Sequence, residues 1–522
     1  MTTHDRDPGS TTSRMTGPPS AMDAPHFHDD LRGYLDALER RGDLNRVTRE
    51  VSAHLEAAAE TRLSVERRLP APLFENIAGV APGFRLLGGV AALSSHPDKP
   101  MARVATTLGM PVDTSAADIV DRLCHVMDAP AVPPVVVSRD RAACKQNVLL
   151  GDDATLDRFP IPRVHEEDGE RYVNTWGIVV TSTPDKRWTN WAITRVMYLD
   201  GKRMTGLVRP TAHLGKIWQE WVDIGEPMPY ALVQGGPPAV CYAGGLPIPY
   251  EVDEADFVGA LHGRPVELVA CESVDLLVPA TSEVVVEGHV SVTRDATEGP
   301  FGEYAGYMPT TTSQEPVFSV EAITHRDDPI WPLVAEGRPV DETHTVSAVG
   351  HAAVVLRALR RAHLPVTLAW MPPSTAAHWL VVTVADDWRE RLPGLDTAAL
   401  CHRIGEVLSE VPSGRLASHV FVLDDDIDPT DDAELMWALG TRVHPTLRRE
   451  EWTGPILPLV ACYTPEERQR GRGPVVVHDA LQAPAGAGRQ VQSSFAQAYP
   501  AEIRARVLAA QQRTARTRPE CR

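Results

Sequence analysis

Between residues 172 and 210 the chain alternates in polarity over short runs separated by turn formers, a pattern that fits antiparallel sheet and excludes long helix. Gly177-Ile-Val-Val-Thr-Ser reads as one strand, Pro184-Asp185-Lys186 as a turn, 188–199 as a second strand, Asp200-Gly201 as a hairpin turn and 203–209 as a third strand. Consecutive hairpins of this kind suggest a barrel.

The rest of the chain is arranged around that barrel. A length of 522 residues exceeds one ordinary core, so two or three domains are expected. Residues 1–25 are rich in Ser, Thr, Pro, Gly and Asp and read as a disordered tail. Leu31, Tyr34, Leu35 and Leu38 recur at helical spacing, and Gly42-Asp43 ends that helix. Residues 71–77 and 85–89 read as strand, loop, strand, and 101–127 as two helical patterns broken at Gly109. Three prolines within 129–137 mark an extended crossing. A long apolar helical pattern fills 346–363 and stops before Pro365; strands and helices alternate beyond it, an α/β order. The fold class is α/β (α+β), divided as 1–25, 26–138, 139–340, 341–364, 365–494 and 495–522.

Composition narrows the functional classes. The net charge of −19 argues against nucleic acid or an anionic membrane surface as partner. No apolar run approaches the roughly 18 residues of a membrane span, and no hydrophobic leader is visible near Met1. Seven scattered cysteines without C-x-x-C spacing read as reduced cytosolic thiols.

Chemistry concentrates at Glu298-Gly-Pro-Phe-Gly-Glu303. Proline and glycine disfavour helix here, so two carboxylates flank a rigid turn: either a general acid/base device or a surface turn with two solvated glutamates. Asn190 and Arg195 stand five residues apart, on opposite faces of an ideal strand, so a bulge or a strand end must re-aim one of them if both serve one site. His213 opens an amphipathic helix that Gly225 closes; a helix N-terminus keeps imidazole neutral and favours a phosphate. Ala243-Gly244-Gly245-Leu246-Pro247 is a tight turn whose carbonyls can face a cation or ring system closely. The acids of Asp424-Asp-Asp-Ile-Asp428 fit a solvated strand end better than a metal site.

Taken with Asn190-Trp-Ala-Ile-Thr-Arg195, Thr211-Ala-His213, Glu254 within Asp-Glu-Ala-Asp-Phe-Val-Gly, and Asp341-Glu-Thr-His-Thr345, this turn resembles the UbiD family of prenylated-FMN-dependent decarboxylases, over nearly the whole chain. The Asp-Glu-Thr-His-Thr wording looks closest to the ferulic and cinnamic acid branch. The resemblance implies a split β-barrel flavin-binding domain, a linker helix and a C-terminal α/β domain that makes a homodimer, with a terminal helix returning to the first domain.

It also implies roles residue by residue. Arg195, Glu298 and Glu303 take the catalytic network, with Glu303 as proton donor kept protonated by burial and a neighbouring carboxylate. Thr175, Asn190, Trp191, Ala192, Ile193, Thr194, Arg195, Ala212, His213, Gly244, Gly245, Leu246, Pro247, Glu254 and His419 fall at cofactor positions. Ala212 stands where the family usually has glutamine, and His419 where it often has lysine. Asn190, His213 and Glu254 take the Mn²⁺ or Mg²⁺ position; Trp191, Ala243, Gly244, Leu246 and Glu254 take that of K⁺. Thr345 and Val349 would line the substrate pocket, and Glu283 and Glu287 are structural.

The implied activity is reversible, non-oxidative decarboxylation of an α,β-unsaturated acid, polyketide acids included, with cofactor supplied by a flavin prenyltransferase. Alternatives are an aromatic or heteroaromatic acid on the same scaffold, a non-catalytic flavin carrier, or a metal-dependent hydrolase using Asn190, His213 and Glu254. The last leaves Glu298 and Glu303 unexplained.

Overall fold

The computed structural model describes residues 27–484 and 488–516. The tail expected over 1–25 lies outside them.

Helix Leu31–Arg40 buries Leu31, Tyr34, Leu35 and Leu38, and Asp30 caps it by accepting the Gly33 N–H at 2.8 Å. Beside it lies a four-stranded sheet in the order Leu44–Val47, Ala71–Phe74, Arg85–Gly88, Ile330–Leu333. The fourth strand arrives from far along the chain and pairs in parallel with the third. It therefore carries residues 334–341 from the first sheet to the entrance of the next helix.

The central sheet has ten strands. Its path runs Tyr172–Asn174, Val196–Asp200, Arg203–Gly206, Val317–Ser319, Val284–Val290, Met228–Gln234, Ile178–Ser182, Thr189–Ala192; Ala322–His325 joins Val284–Val290 to Asn147–Leu150. The strand at one end of this path and the second strand at the other are consecutive in sequence, separated only by residues 193–195. Three residues cannot span a flat sheet, so the sheet must curl until its edges meet.

The single strand expected over 188–199 is accordingly two strands. Residues 193–195 leave the ladder because their backbone groups are taken elsewhere. Ile193 N–H donates to the Gly244 carbonyl (2.9 Å), the Asn174 amide donates to the Thr194 carbonyl (2.8 Å), and Leu207 N–H donates to the Arg195 carbonyl (3.2 Å). These bonds close the seam of the half-barrel.

Helix Glu342–Arg361 follows. Its N-cap is Asp341, and it buries Val346, Val349, Ala352, Ala353, Val355, Leu356 and Leu359 in a core that reaches from Leu31 to Leu380 and Val420. It is a core helix as well as a connection. Beyond it a five-stranded mixed sheet runs Val366–Trp370, Trp379–Val384, His419–Asp424, Arg472–Asp479, Arg449–Pro455, packed by helices Thr397–Glu410 and Asp432–Arg442.

Two expectations are corrected in this region. The acids after Leu423 are only in part a solvated strand end: Asp425 and Asp428 are exposed, but Asp424 is buried. Asp426 makes a bidentate pair with Arg442 (2.8 Å each), and Asp424 accepts the Gln482 N–H at 2.7 Å. The terminal helix Ala501–Arg516 leaves Val507 and Leu508 exposed instead of burying them on the first domain. The segment ahead of it returns to the C-terminal sheet, where Gln492 Nε2 donates to the Asp426 carbonyl at 2.9 Å.

Candidate active site

The seam of the curled sheet holds the arginine. Because strand Thr189–Ala192 ends before it, Arg195 escapes strand alternation and turns inward, which resolves the odd spacing from Asn190. Its Nε and Nη2 donate to the two oxygens of Glu298, both at 2.9 Å, and its Nη1 donates to Glu303. The fork geometry of guanidinium is what permits this double engagement. Glu298 is fully buried and also accepts the Tyr172 hydroxyl at 2.9 Å. Burial and the Glu298 charge push the Tyr172 phenol well above its ordinary range, so Tyr172 acts here as a donor.

The turn carrying Glu303 is fixed on both sides. Strand Ala296–Glu298 pairs with Ser313–Glu315, and Gly299 then takes φ +84°, a left-handed conformation glycine adopts without cost. Gly302 N–H donates to Asp168 (3.0 Å) and Tyr304 N–H to Glu336 (3.1 Å). His344 Nε2 donates to the Tyr304 carbonyl at 2.6 Å. A Cβ at Gly302 would lie 2.5 Å from the His165 ring, so only glycine fits. The two glutamates are thus neither helical nor a solvated surface turn.

Across the seam lies a second cluster. His213 Nδ1 sits 3.2 Å from Asn190 Oδ1, and the Glu254 carboxylate accepts the Trp191 N–H at 2.6 Å. Burial pushes Glu254 up to about 8 and lowers His213, which is therefore neutral and free to ligate. The Asn190 amide nitrogen is buried with no partner. Helix His213–Ile224 begins at Ala212 with no side-chain cap, leaving first-turn amides open. An orphan amide, an uncapped helix N-terminus and a buried carboxylate without a cation fit a phosphate bridged by a divalent ion. Among the described residues no three His, Cys, Asp or Glu side chains form a metal cluster; this donor set depends on asparagine.

The remaining expected residues are placed as follows. Neither Gly244 nor Gly245 has positive φ. A Cβ on Gly244 would meet Ile178 at 2.4 Å and one on Gly245 would meet Val346 at 2.9 Å, so close packing demands both glycines. Leu246 and Pro247 pack on Gly350 of the long helix. The carbonyls of Ala243, Gly244 and Leu246 each already accept one amide, leaving one lone pair for a cation. Ala192 closes its strand, and the Thr194 hydroxyl donates to the Leu207 carbonyl at 2.7 Å. The Thr175 hydroxyl accepts the Val334 N–H at 2.9 Å. The Thr345 hydroxyl donates to the Ala91 carbonyl at 2.8 Å and Val349 is fully buried in the core, so neither joins the Arg195 cluster. His419 contacts His478, Trp379 and Phe421 on the C-terminal sheet. Glu283 and Glu287 are structural: the first pairs with Arg32, and the second caps Glu272 and Ser273. Sequence reasoning missed Tyr172, Asp168, His165 and Glu336 altogether.

Comparison with known proteins puts this arrangement among decarboxylases. Residues 35–123, 135–339 and 344–448 match, in order, the N-terminal, Rift-related and C-terminal domains of 3-octaprenyl-4-hydroxybenzoate carboxy-lyase. The chain belongs to the UbiD family of carboxy-lyases. It is 38% identical to pyrrole-2-carboxylic acid decarboxylase of Pseudomonas aeruginosa over 92% of this chain and 96% of that one. It is 36% identical to ferulic acid decarboxylase 1 of Saccharomyces cerevisiae over 80% and 83%. Among solved structures it resembles the vanillic acid decarboxylase of Sedimentibacter hydroxybenzoicus (TM-score 0.79, 27% identity, 94% of this chain and 100% of that one). It also resembles a UbiD-class enzyme of Pelotomaculum thermopropionicum in complex with prenylated FMN (TM-score 0.74, 26% identity, 89% and 97%).

Proposed function

We propose that this protein catalyses reversible, non-oxidative decarboxylation of a small α,β-unsaturated carboxylic acid, polyketide acids included, using prenylated FMN. The observation that carries this reading is the buried network in which Arg195 is shared between Glu298 and Glu303. Glu298, itself fixed by the Tyr172 hydroxyl, holds the guanidinium; the arm facing Glu303 is the one a substrate carboxylate can claim. Glu303, so released, is free to carry a proton. When bound, prenylated FMN supplies the electrophile that accommodates the electron pair left as the bond to carbon dioxide breaks. Glu303 then gives its proton to that carbon and regains one from water, so charge and atoms balance. The reverse sequence describes carboxylation.

Asn190, His213 and Glu254 would hold Mn²⁺ or Mg²⁺ against the cofactor phosphate, and the open amides of helix His213–Ile224 would face that phosphate. The carbonyls of Trp191, Ala243, Gly244 and Leu246, with Glu254, would hold K⁺. The reading further includes a flavin prenyltransferase as supplier of cofactor, a homodimer formed through residues 365–494, and a cytoplasmic setting. A heteroaromatic substrate is the second reading, favoured by the 38% identity to a protein named for pyrrole-2-carboxylic acid.

The test is a mass spectrum of the small molecule released from protein co-expressed with a flavin prenyltransferase, followed by carbon dioxide release from ferulic and pyrrole-2-carboxylic acids. The mass of prenylated FMN and turnover of the acrylic acid are expected. Turnover of the pyrrole acid alone selects the second reading. No flavin, under conditions that load a related enzyme, overturns both.

A further inference from the structure

Glu336 stands beside the Glu303 turn without a cation of its own. It lies three residues beyond strand Ile330–Leu333 and is half-buried. Its Oε2 accepts the N–H of Tyr304, the residue after Glu303, at 3.1 Å, and its Oε1 accepts the Thr343 hydroxyl at 2.9 Å. Its backbone carbonyl accepts His165 Nε2–H at 2.8 Å. The other nitrogen of that ring faces Asp168 (3.1 Å), whose carboxylate takes the Gly302 N–H. The amides on both sides of Glu303 therefore end on carboxylates, and His165 ties those two anchors together.

The nearby charges leave Glu336 uncompensated. The charges of Glu303, from the turn, and of Asp341, from the start of the long helix, both act on it. Arg195 is committed to Glu298 and Glu303. Arg62 is committed to Asp341 and to the carbonyls of Ala335 and Arg338. His344 faces Asp341 and the Tyr304 carbonyl, and Arg209 lies towards Tyr304. No lysine, arginine or histidine among the described residues makes an ion pair with Glu336. Burial first, then the charges of Glu303 and Asp341, push it up to about 8. A carboxyl held on the amide next to Glu303, with no cation of its own while Arg195 is paired with Glu298 and Glu303, is costly to ionise.

We propose that Glu336 is a positioning residue for Glu303: it fixes the turn through the Tyr304 amide and carries there a proton that the Glu303 charge helps to retain. The catalytic consequence rests on the reading of Glu303 as proton donor; the Glu336 proton itself does not.

Two readouts separate these. Infrared difference spectra of the purified full chain follow the protonated carboxyl band between pH 6 and 10. In wild type a component that persists at pH 7 and is lost by pH 9 is expected; Glu336→Gln should lack it, the wild-type-minus-variant difference removing the contributions of Glu254 and Glu342. Coupling is reciprocal, so in Glu303→Gln the Glu336 component should titrate about one pH unit lower or more. In protein carrying the prenylated flavin, the alkaline limb of kcat/KM should move to lower pH by about one unit in Glu336→Gln, which loss of a merely structural contact would not do. An unchanged band in Glu336→Gln, or an unshifted component in Glu303→Gln, overturns the proposal. Should Glu336→Gln fail to fold, the Glu303→Gln shift alone decides. If the band behaves as expected but no acid is decarboxylated, the Glu336 proton stands and the donor reading fails.

Discussion

The two sides of the seam differ in how completely their polar groups are satisfied. Around Arg195, three guanidinium nitrogens meet carboxylates and Glu298 gains a third donor from Tyr172. Around Asn190, the amide nitrogen is orphaned, Glu254 is buried without a cation, and a helix begins uncapped. A closed network costs nothing to reorganise when a reaction begins, and so suits charge stabilisation. A set of buried groups left open costs free energy until a ligand arrives, and so suits holding one. On the proposed reading, the chain separates chemistry from retention across three residues of backbone.

The sharpest way to break that division is Glu303→Gln. Turnover should fall about 10²–10⁴-fold while flavin is retained, checked by carbon dioxide release and by the absorbance of the released flavin. Flavin loss in this variant would show that the closed side also retains the cofactor. Near-wild-type turnover would remove Glu303 from the chemistry.

The complementary test acts on the open side. Chelation, or Glu254→Ala, should release flavin and leave the fold, seen as unchanged far-ultraviolet circular dichroism. A metal must displace the proton that burial holds on Glu254 up to about 8, so apparent Mn²⁺ affinity should fall about tenfold per pH unit below that value. Calorimetric titration at pH 6, 7 and 8 measures this. Affinity that is flat with pH would remove Glu254 from the ligand set.

Much of the site was legible locally. The Gly and Pro of the 298–303 turn disfavoured helix, and the odd spacing of Asn190 and Arg195 called for a bulge or a strand end if both serve one site; the structure has the strand end, at Ala192. What was not legible came from elsewhere in the chain. The break at 193–195 depends on a carbonyl at Gly244 and a side chain at Asn174, so alternation alone suggested an unbroken strand. The glycines at 244 and 245 read as a turn whose carbonyls can face a cation or a ring system; that Ile178 on one side and Val346 on the other also require them was not visible. Glu336 gave no signal because only a parallel pairing between Ile330–Leu333 and Arg85–Gly88 brings it to the turn. Tyr172 lacked a motif for the same reason: its partner, Glu298, is more than a hundred residues away.

Tyr172→Phe sharpens the closed side. It removes one donor from a buried carboxylate that still holds Arg195. A hydrogen bond to a charged group is worth about 1.5–3 kcal/mol, so kcat/KM should fall by up to about 10–150-fold, with flavin content unchanged. No change would mean that Arg195 alone fixes Glu298.

Glu342 asks whether an unsatisfied group always awaits a ligand. It is fully buried, neither carboxylate oxygen has a partner, and burial and then Asp341 push it up to about 7 from an ordinary value near 4.5. A carboxyl whose folded value exceeds its unfolded one binds more protons in the fold, so stability falls as pH rises from about 4.5. Above about 7 the whole cost is present, about 3 kcal/mol by linkage. Glu342→Gln should therefore raise the Tm at pH 8 and change it little at pH 5, measured by calorimetry on flavin-loaded protein. Retained flavin would make Glu342 a plain cost of burial, unlike Glu254, whose isolation serves a ligand on the proposed reading. Lost flavin would extend the open side of the site to the start of the long helix.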